Sequence, residues 1–222
     1  MNFLIGCFLI FLPSKIKCIL LRNIFSFKIH DKSKIGFSLI NVLNLKIGEN
    51  GSIGNFNYIS NLENLEIGNN SQIGKFNRIT GCSTLSAKVH FKDDFGRVSE
   101  LILEENSAIS NSHILDCSSS IRIGKFTIIG GFGSQVLTHS VEFSCSIQKS
   151  KPVNIGSYSF ISSGCIILPG SSLPDFSILG AASLLNKRYS QTYSLYGGVP
   201  AKLLKPLDKN MKYFSRKIGF IS

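Results

Sequence analysis

Aliphatic side chains return every six positions over the C-terminal part of the chain: Ile155, Ile161, Ile167, Leu173, Leu179 and Leu185. Earlier segments carry the same spacing in near-repeated spelling. LKIGENGSIGNFNYI (45–59) and LEIGNNSQIGKFNRI (65–79) match at a step of 20 residues, and LILEENSAISNSHIL (101–115) and IRIGKFTIIGGFGSQ (121–135) continue the pattern. Aligned, they give three apolar columns. The first holds Ile47, Ile67, Leu103 and Ile123, and the second Ile53, Ile73, Ile109 and Ile129. The third holds Ile59, Ile79 and Leu115, then breaks at Gln135.

A spacing of six fits neither a helix, at about 3.6 residues per turn, nor a lone strand alternating at about two. It fits a coil with three flat sides, each a short strand and a turn, with one aliphatic per side aimed at the axis. Three such sides, about 18 residues, make a circuit, and a 20-residue step adds about two residues at a corner. The predicted architecture is an all-β solenoid of stacked parallel strands about 4.8 Å apart. Glycine follows many inward aliphatics (Gly48, Gly54, Gly68, Gly74, Gly124 and Gly156), and asparagine is abundant. Both residues suit turns at positive φ.

The ends read differently. Residues 1–30 form an apolar and basic helical segment, residues 31–205 the repeat domain and residues 206–222 a basic tail with a short helix. FLIGCFLIFLP (3–13) is too short to span a bilayer. It lacks the preceding positive charge and the small-residue cleavage site of a secretory signal. Residues 1–30 carry Lys15, Lys17, Arg22 and Lys28 and no acid. Such a segment suits an in-plane helix on anionic lipid, or a helix packed on its own domain or on a neighbouring subunit. The tail holds Lys209, Lys212, Arg216 and Lys217, and is expected to pack on a neighbour or touch lipid.

Charge narrows the partners. With 24 basic and 13 acidic residues the net charge is +11, which attracts phosphate cofactors, lipid headgroups or nucleic acid. A nucleic-acid module would need interleaved aromatic and basic positions, and none is present. The six cysteines are widely and unevenly spaced without a C-x-x-C pair. They read as inert thiols of a reducing cytoplasm rather than as a zinc ribbon or redox pair.

IGSYSFISSGCIILPGSSLPDFSILGAASLLNK (155–187), followed by YGGVPAKLLK (196–205), resembles the last coils and the G-x-P-A-K segment of the hexapeptide-repeat acyltransferases. The resemblance covers roughly residues 35–206 and is nearest to the sugar and polysaccharide O-acetyltransferases. It implies a left-handed parallel β-helix, a homotrimer, and acetyl-coenzyme A as acyl donor, lying along the last coils between two subunits. Ser163, Gly164, Gly180, Ala181 and Ala182 match the places where small residues let the pantetheine arm pass. The family's G-A-G-S reads G-A-A-S here, so Ala182 adds a methyl. Lys187, Lys202 and Lys205 match basic positions suited to the donor's phosphates.

Acyl transfer to a hydroxyl needs a base near neutral pH, and histidine, with a pKa of about 6.5, suits it. His139 lies in GFGSQVLTHS (131–140), where the hexads lapse over 136–152 and a loop is expected. Loops on rigid scaffolds often carry function. In the family resembled, a histidine near such a loop is the general base. Counting at 20 residues places His113 level with Gly133 and Asp116 level with Val136, one rung from the His139 loop. Asp116 is thus the expected orienter of the imidazole or a sugar ligand. Some members of the family carry a similar H-x-x-D segment ahead of the loop. His113, Ser134, Gln135 and Thr138 are expected to contact substrate.

No metal is expected. The zinc carbonic anhydrases of this fold use three histidines, and here only the remote His90 could join His113 and His139. There is no G-x-S-x-G elbow for a serine nucleophile. The expectation is therefore direct acetyl transfer to a hydroxyl of a sugar or lipid-linked oligosaccharide, in cell-surface polysaccharide synthesis. The enzyme would be cytoplasmic, peripheral on the inner face of the membrane. The alternatives are a serine or small-molecule O-acetyltransferase and a non-catalytic β-helical scaffold.

Overall fold

The computed structural model describes residues 3–84, 90, 91, 94 and 96–221, with side chains from Gly6 onward. Two helices, α1 (Phe3–Leu9) and α2 (Ser14–Phe25), precede a column of short strands. The first strand, Lys28–Ile29, already pairs in parallel with Lys46–Ile47, so the solenoid begins a few residues before the expected boundary at 31. It closes with Lys202–Pro206, antiparallel to Ser194–Gly197.

The three apolar columns are the axis of the column. On the first face Ile29, Ile47, Ile67, Leu103, Ile123, Ile155 and Leu173 stack in register. The second face stacks Ile35, Ile53, Ile73, Ile109, Ile129, Ile161, Leu179 and Tyr196. The third stacks Ile40, Ile59, Ile79, Leu115, Val136, Ile167 and Leu185. Nearly all are under 3% exposed, and each such burial stabilises by roughly 1.5–3 kcal/mol. The third and first faces merge into one sheet because Leu39–Ile47 and Tyr58–Ile67 run unbroken around the corner between them.

Two expectations are corrected here. The third column does not end at Gln135. Leu115 pairs with Val136, a step of 21, and Val136 is buried. The extra residue is absorbed between Ile129 and Val136, where Gly131 and Gly133 both take positive φ. The glycines that follow inward aliphatics, moreover, are not positive-φ turns. They sit where the next coil comes too close for a side chain. A Cβ on Gly54 would lie 2.3 Å from the Gly74 carbonyl oxygen, and one on Gly124 would lie 2.6 Å from the Ser157 amide nitrogen. The positive-φ turn at the first corner is held instead by Asn50, Asn70 and Asn106, then by Phe126, Tyr158, Phe176 and Tyr193. The asparagines begin a ladder, with Asn50 Nδ2 donating to Asn70 Oδ1 at 3.0 Å. The aromatic rings continue it, stacked 4.6, 5.3 and 4.6 Å apart.

The helices close the N-terminal end. Leu9, Cys18 and Leu21 join the core of the first coil. Lys17 is buried with them, its Nζ donating to the carbonyls of Ile10 at 3.1 Å and Gly36 at 2.5 Å. Burial lowers its pKa to about 8. The C-terminal tail folds back onto the first corner of its own chain. Its 3-10 turn Lys212–Ser215 buries Phe214 edge-on to Phe176 and Tyr193.

Candidate active site

The third corner departs from the regular circuit twice. Ile67 pairs with Leu103, a step of 36, and Ile123 with Ile155, a step of 32. Both insertions therefore leave the column at one edge, with the one regular coil of Leu115 between them. The second folds as a hairpin of His139–Glu142 and Ile147–Ser150, with His139 at its base. Asp116 ends the strand Ile114–Asp116 and pairs with Leu137, so it lies directly below the hairpin's root.

Asp116 gathers five donors. The amide and hydroxyl of Ser118 reach Oδ1 at 3.1 and 2.6 Å. The amides of Thr138 and His139 reach Oδ2, each at 3.2 Å. His139 Nδ1 reaches the same oxygen at 2.5 Å. Burial pushes the Asp116 carboxyl up, but the bonds from His139 and Ser118 outweigh it and hold the pKa below its ordinary value. The hydrogen bond to Asp116 in turn raises the His139 pKa against a smaller effect of burial. With Nδ1–H committed to Asp116, the lone pair of Nε2 has no partner among the described residues. The His139 side chain is 42% exposed, so this lone pair can meet a proton from outside.

The first insertion backs the pair. Phe91 meets the His139 ring edge-on, centroids 5.9 Å apart. The Arg97 guanidinium lies 4.3 Å from the Phe91 centroid. Arg97 also donates to the Cys82 carbonyl and, at 2.7 Å, to that of Ser118. Asp94 accepts from the amide and hydroxyl of Ser150 at 2.7 and 2.6 Å, and Ser150 pairs with His139 across the hairpin. None of these three residues was among the sequence candidates. The 36-residue step was their one signal.

The proposed substrate contacts are placed otherwise. His113 is level with Ser134 rather than Gly133, and it points inward, 1% exposed. Its Nδ1 accepts from the Ser134 amide at 3.1 Å. It belongs to an inner polar column at the second corner: Ser38, Asn57, Asn77, His113, Ser134, Cys165 and Ser183, each bonded to a neighbouring coil. Burial lowers the His113 pKa, with the Gly131 carbonyl acting in the opposite direction. The hydroxyl of Ser134 donates to the Ser162 carbonyl at 3.1 Å. Thr138 Oγ1 donates to the Asp116 carbonyl at 2.7 Å and accepts from the Ser119 amide at 2.8 Å. His113, Ser134 and Thr138 thus bond coil to coil and are buried in the interior. Gln135 faces outward on the third face, between Ile114 and Ile166.

The donor-binding candidates divide. Gly164 and Ala182 continue the second corner's positive-φ column, after Ser112 and Gly133 and before Gly198. Ala182 holds φ 55, so the methyl that replaces the resembled motif's glycine sits in a backbone shape that favours glycine. Ser163 and Ala181 flank them, and the Gly180 amide bonds the Tyr196 carbonyl at 2.8 Å. A Cβ at Gly164 or Gly133 would meet nothing within 4 Å, so this corner is a bare backbone shelf. Lys202 lies opposite Gly197, beside that shelf, and Lys205 opposite Leu195. Lys187 is at the third corner, its carbonyl accepting from Ser172, so the three lysines do not converge. Among the described residues no group of three His, Cys, Asp or Glu side chains is arranged to hold a metal.

No family model matches the chain. The candidate acetyltransferase SAR2635 of Staphylococcus aureus (strain MRSA252) is 28% identical over 136 residues, covering 60% of this chain and 67% of the relative. The Bacillus cereus N-acyltransferase AntD was crystallised as a mutant with dTDP-4-amino-4,6-dideoxyglucose and coenzyme A. It superposes with a TM-score of 0.59 at 18% identity, over 76% of this chain and 87% of its own. The polysialic acid O-acetyltransferase OatWY gives 0.57 at 17% identity, over 86% and 90%. The fold is the left-handed parallel β-helix of hexapeptide-repeat acyltransferases, and these structural neighbours are acyltransferases.

Proposed function

We propose that the protein is an acetyl-coenzyme A-dependent O-acetyltransferase acting on a sugar hydroxyl in cell-surface polysaccharide synthesis, with His139 as general base. The observation that carries this reading is the exposed His139 ring, bonded through Nδ1 to a partly buried carboxylate, with no partner at Nε2 among the described residues. Acetyl-coenzyme A supplies an activated thioester carbonyl. His139 Nε2 takes the proton of the acceptor hydroxyl as its oxygen adds to that carbonyl, then returns the proton to the leaving sulfur. Asp116 keeps the imidazole in the required tautomer and stabilises the cation formed on it. Ser163, Gly164, Gly180, Ala181 and Ala182 would admit the pantetheine arm along bare backbone, with Lys202 nearest for phosphate and Lys187 and Lys205 farther off.

A sugar acceptor is supported by the neighbours: AntD with its dideoxy sugar nucleotide and OatWY by its name. His139 stands on the open surface of one chain, and a homotrimer would set a neighbouring copy against it to complete a cleft. A cytoplasmic setting agrees with the cysteines, all free.

The test is release of free coenzyme A thiol by the purified protein, given acetyl-coenzyme A and a panel of oligosaccharides. His139→Ala should keep the fold and lose about 10²–10⁴-fold in turnover. Wild-type turnover in that variant would remove His139 from its role. Wild-type protein that neither binds acetyl-coenzyme A nor releases thiol would favour a scaffold.

A further inference from the structure

Five exposed apolar side chains share the helical cap at one end of the column. Phe8, Phe11, Ile16, Ile19 and Ile24 are 50–79% exposed, and all lie on α1, α2 or the turn joining them. The opposite side of the same helices supplies Leu9, Cys18 and Leu21 to the core. The helical cap is therefore apolar on two sides, and its inner contacts account for only one. The outer side is also held rigidly, because Lys17 ties the turn after α1 to the first coil through the Ile10 and Gly36 carbonyls.

Charge follows the same end. Residues 1–62 hold seven basic residues and two acidic ones, Asp31 and Glu49. Asp31 is paired with Arg22 and Glu49 with Lys32. Lys15, Lys28 and Lys34 are exposed and take part in no ion pair among the described residues. An apolar helical face with unneutralised lysines on its second helix and on the two strands that follow fits a surface that is apolar inside and negative outside. A second copy of the chain does not meet that description, since end-to-end contact would oppose like charges. Among the described residues no helix is long and apolar enough to cross a membrane, so the fit is to lying on one.

We propose that the helical end of the column docks on an anionic phospholipid bilayer, with Phe8, Phe11, Ile16, Ile19 and Ile24 entering the headgroup boundary and Lys15, Lys28 and Lys34 facing lipid phosphate. The coils stack about 4.8 Å apart, and His139 belongs to the fourth and fifth coils from that end. The base would then stand roughly 15–20 Å above the first coil, with the helical cap between that coil and the headgroups. On the acyltransferase reading, on which this step alone rests, the acetylated unit is a few sugars away from the lipid that carries the acceptor.

The test is sedimentation of the full chain with phosphatidylcholine vesicles, with and without phosphatidylglycerol. Binding should require phosphatidylglycerol and weaken as salt is added. The double variant Phe11→Ser, Ile19→Ser should bind about tenfold or more weakly, with thermal melting and turnover on a soluble acceptor unchanged. Three results would overturn the proposal: no binding to anionic vesicles, equal binding by the variant, or a larger wild-type oligomer that the variant dissolves. Turnover is scored separately, so a protein that binds vesicles yet transfers no acetyl group would sink the functional reading and leave this one standing.

Discussion

On the proposed mechanism the chemistry at His139 turns on which nitrogen carries the proton, and the bond from Nδ1 to Asp116 fixes it. The carboxylate also sets the pH response. His139 has a raised pKa in the folded protein, so its share of stability is complete below the ordinary histidine range and is lost as pH rises through the raised value. Asp116 has a lowered pKa, so its share is present above the ordinary carboxylate range and is lost as pH falls through the lowered value. A general base works only when neutral, so turnover should rise with pH through the raised histidine pKa. Asp116→Asn keeps an oxygen acceptor but removes the charge. The acidic limb of kcat should then shift to lower pH, and its plateau should fall because the amide no longer enforces the tautomer. A pH–rate profile of the two proteins decides it: an unmoved limb would mean that another group titrates or that the pair is not coupled. Phe91 packs on the His139 ring and Arg97 on Phe91, so their expected role is to position the pair. Phe91→Ala should lower kcat more than it raises KM, because it frees the ring's tilt without touching a binding contact. A change confined to KM would place Phe91 against the acceptor instead.

Among the elements, the strands were legible in the sequence and the corners were not. Ile47, Ile67 and Leu103 announce themselves because an inward side chain must be aliphatic and its spacing is fixed by the side it sits on. His113 did not, although alternation along a strand held the clue. It precedes the inward Leu115 by two positions, as Asn57 precedes Ile59 and Asn77 precedes Ile79, and side chains two apart share a face. The inserted residue before Val136 was hidden because one extra residue at a corner looks like the loss of a column. Asp94 and Arg97 were hidden because their contacts are long-range and no local pattern specifies them. The glycines teach the same point from the backbone side, and they can be tested. Gly124→Ala would press a methyl on the backbone of the next coil, 2.6 Å from the Ser157 nitrogen, and should cost about 1–3 kcal/mol. Gly164→Ala meets open space at φ 68, and should cost about 1–2 kcal/mol from backbone shape alone. Urea denaturation of both variants checks the ranking, and a clearly larger loss at Gly164 would contradict the close-approach account.

At the scale of the whole molecule, a solenoid must protect its surfaces as well as fill its axis, and the first corner shows how. Aromatic rings at positive φ in four successive coils would be an exposed apolar ridge if nothing covered them. The tail covers them. Phe214 packs edge-on to Phe176 and Tyr193, Tyr213 donates its hydroxyl to the Ser159 carbonyl at 2.9 Å, and the Arg216 guanidinium sits 3.9 Å from the Tyr213 ring centroid while donating to the Phe126 carbonyl. The tail's positive charge, which on the sequence alone pointed to lipid or a neighbour, is thus partly absorbed within the chain as cation–π contact. Ending the chain at Pro206 should therefore lower the melting temperature and remove hydrogen-exchange protection from the coils holding Phe126, Tyr158 and Phe176. The Asp116–His139 pair is on a different corner, so the pH–rate profile of the shortened protein should keep its acidic limb. Exchange loss confined to the first corner, with that limb unmoved, is the expected pattern. If melting and exchange are unchanged, the tail does not rest on the ladder. A displaced limb would mean that the tail also reaches the site, through a neighbouring chain.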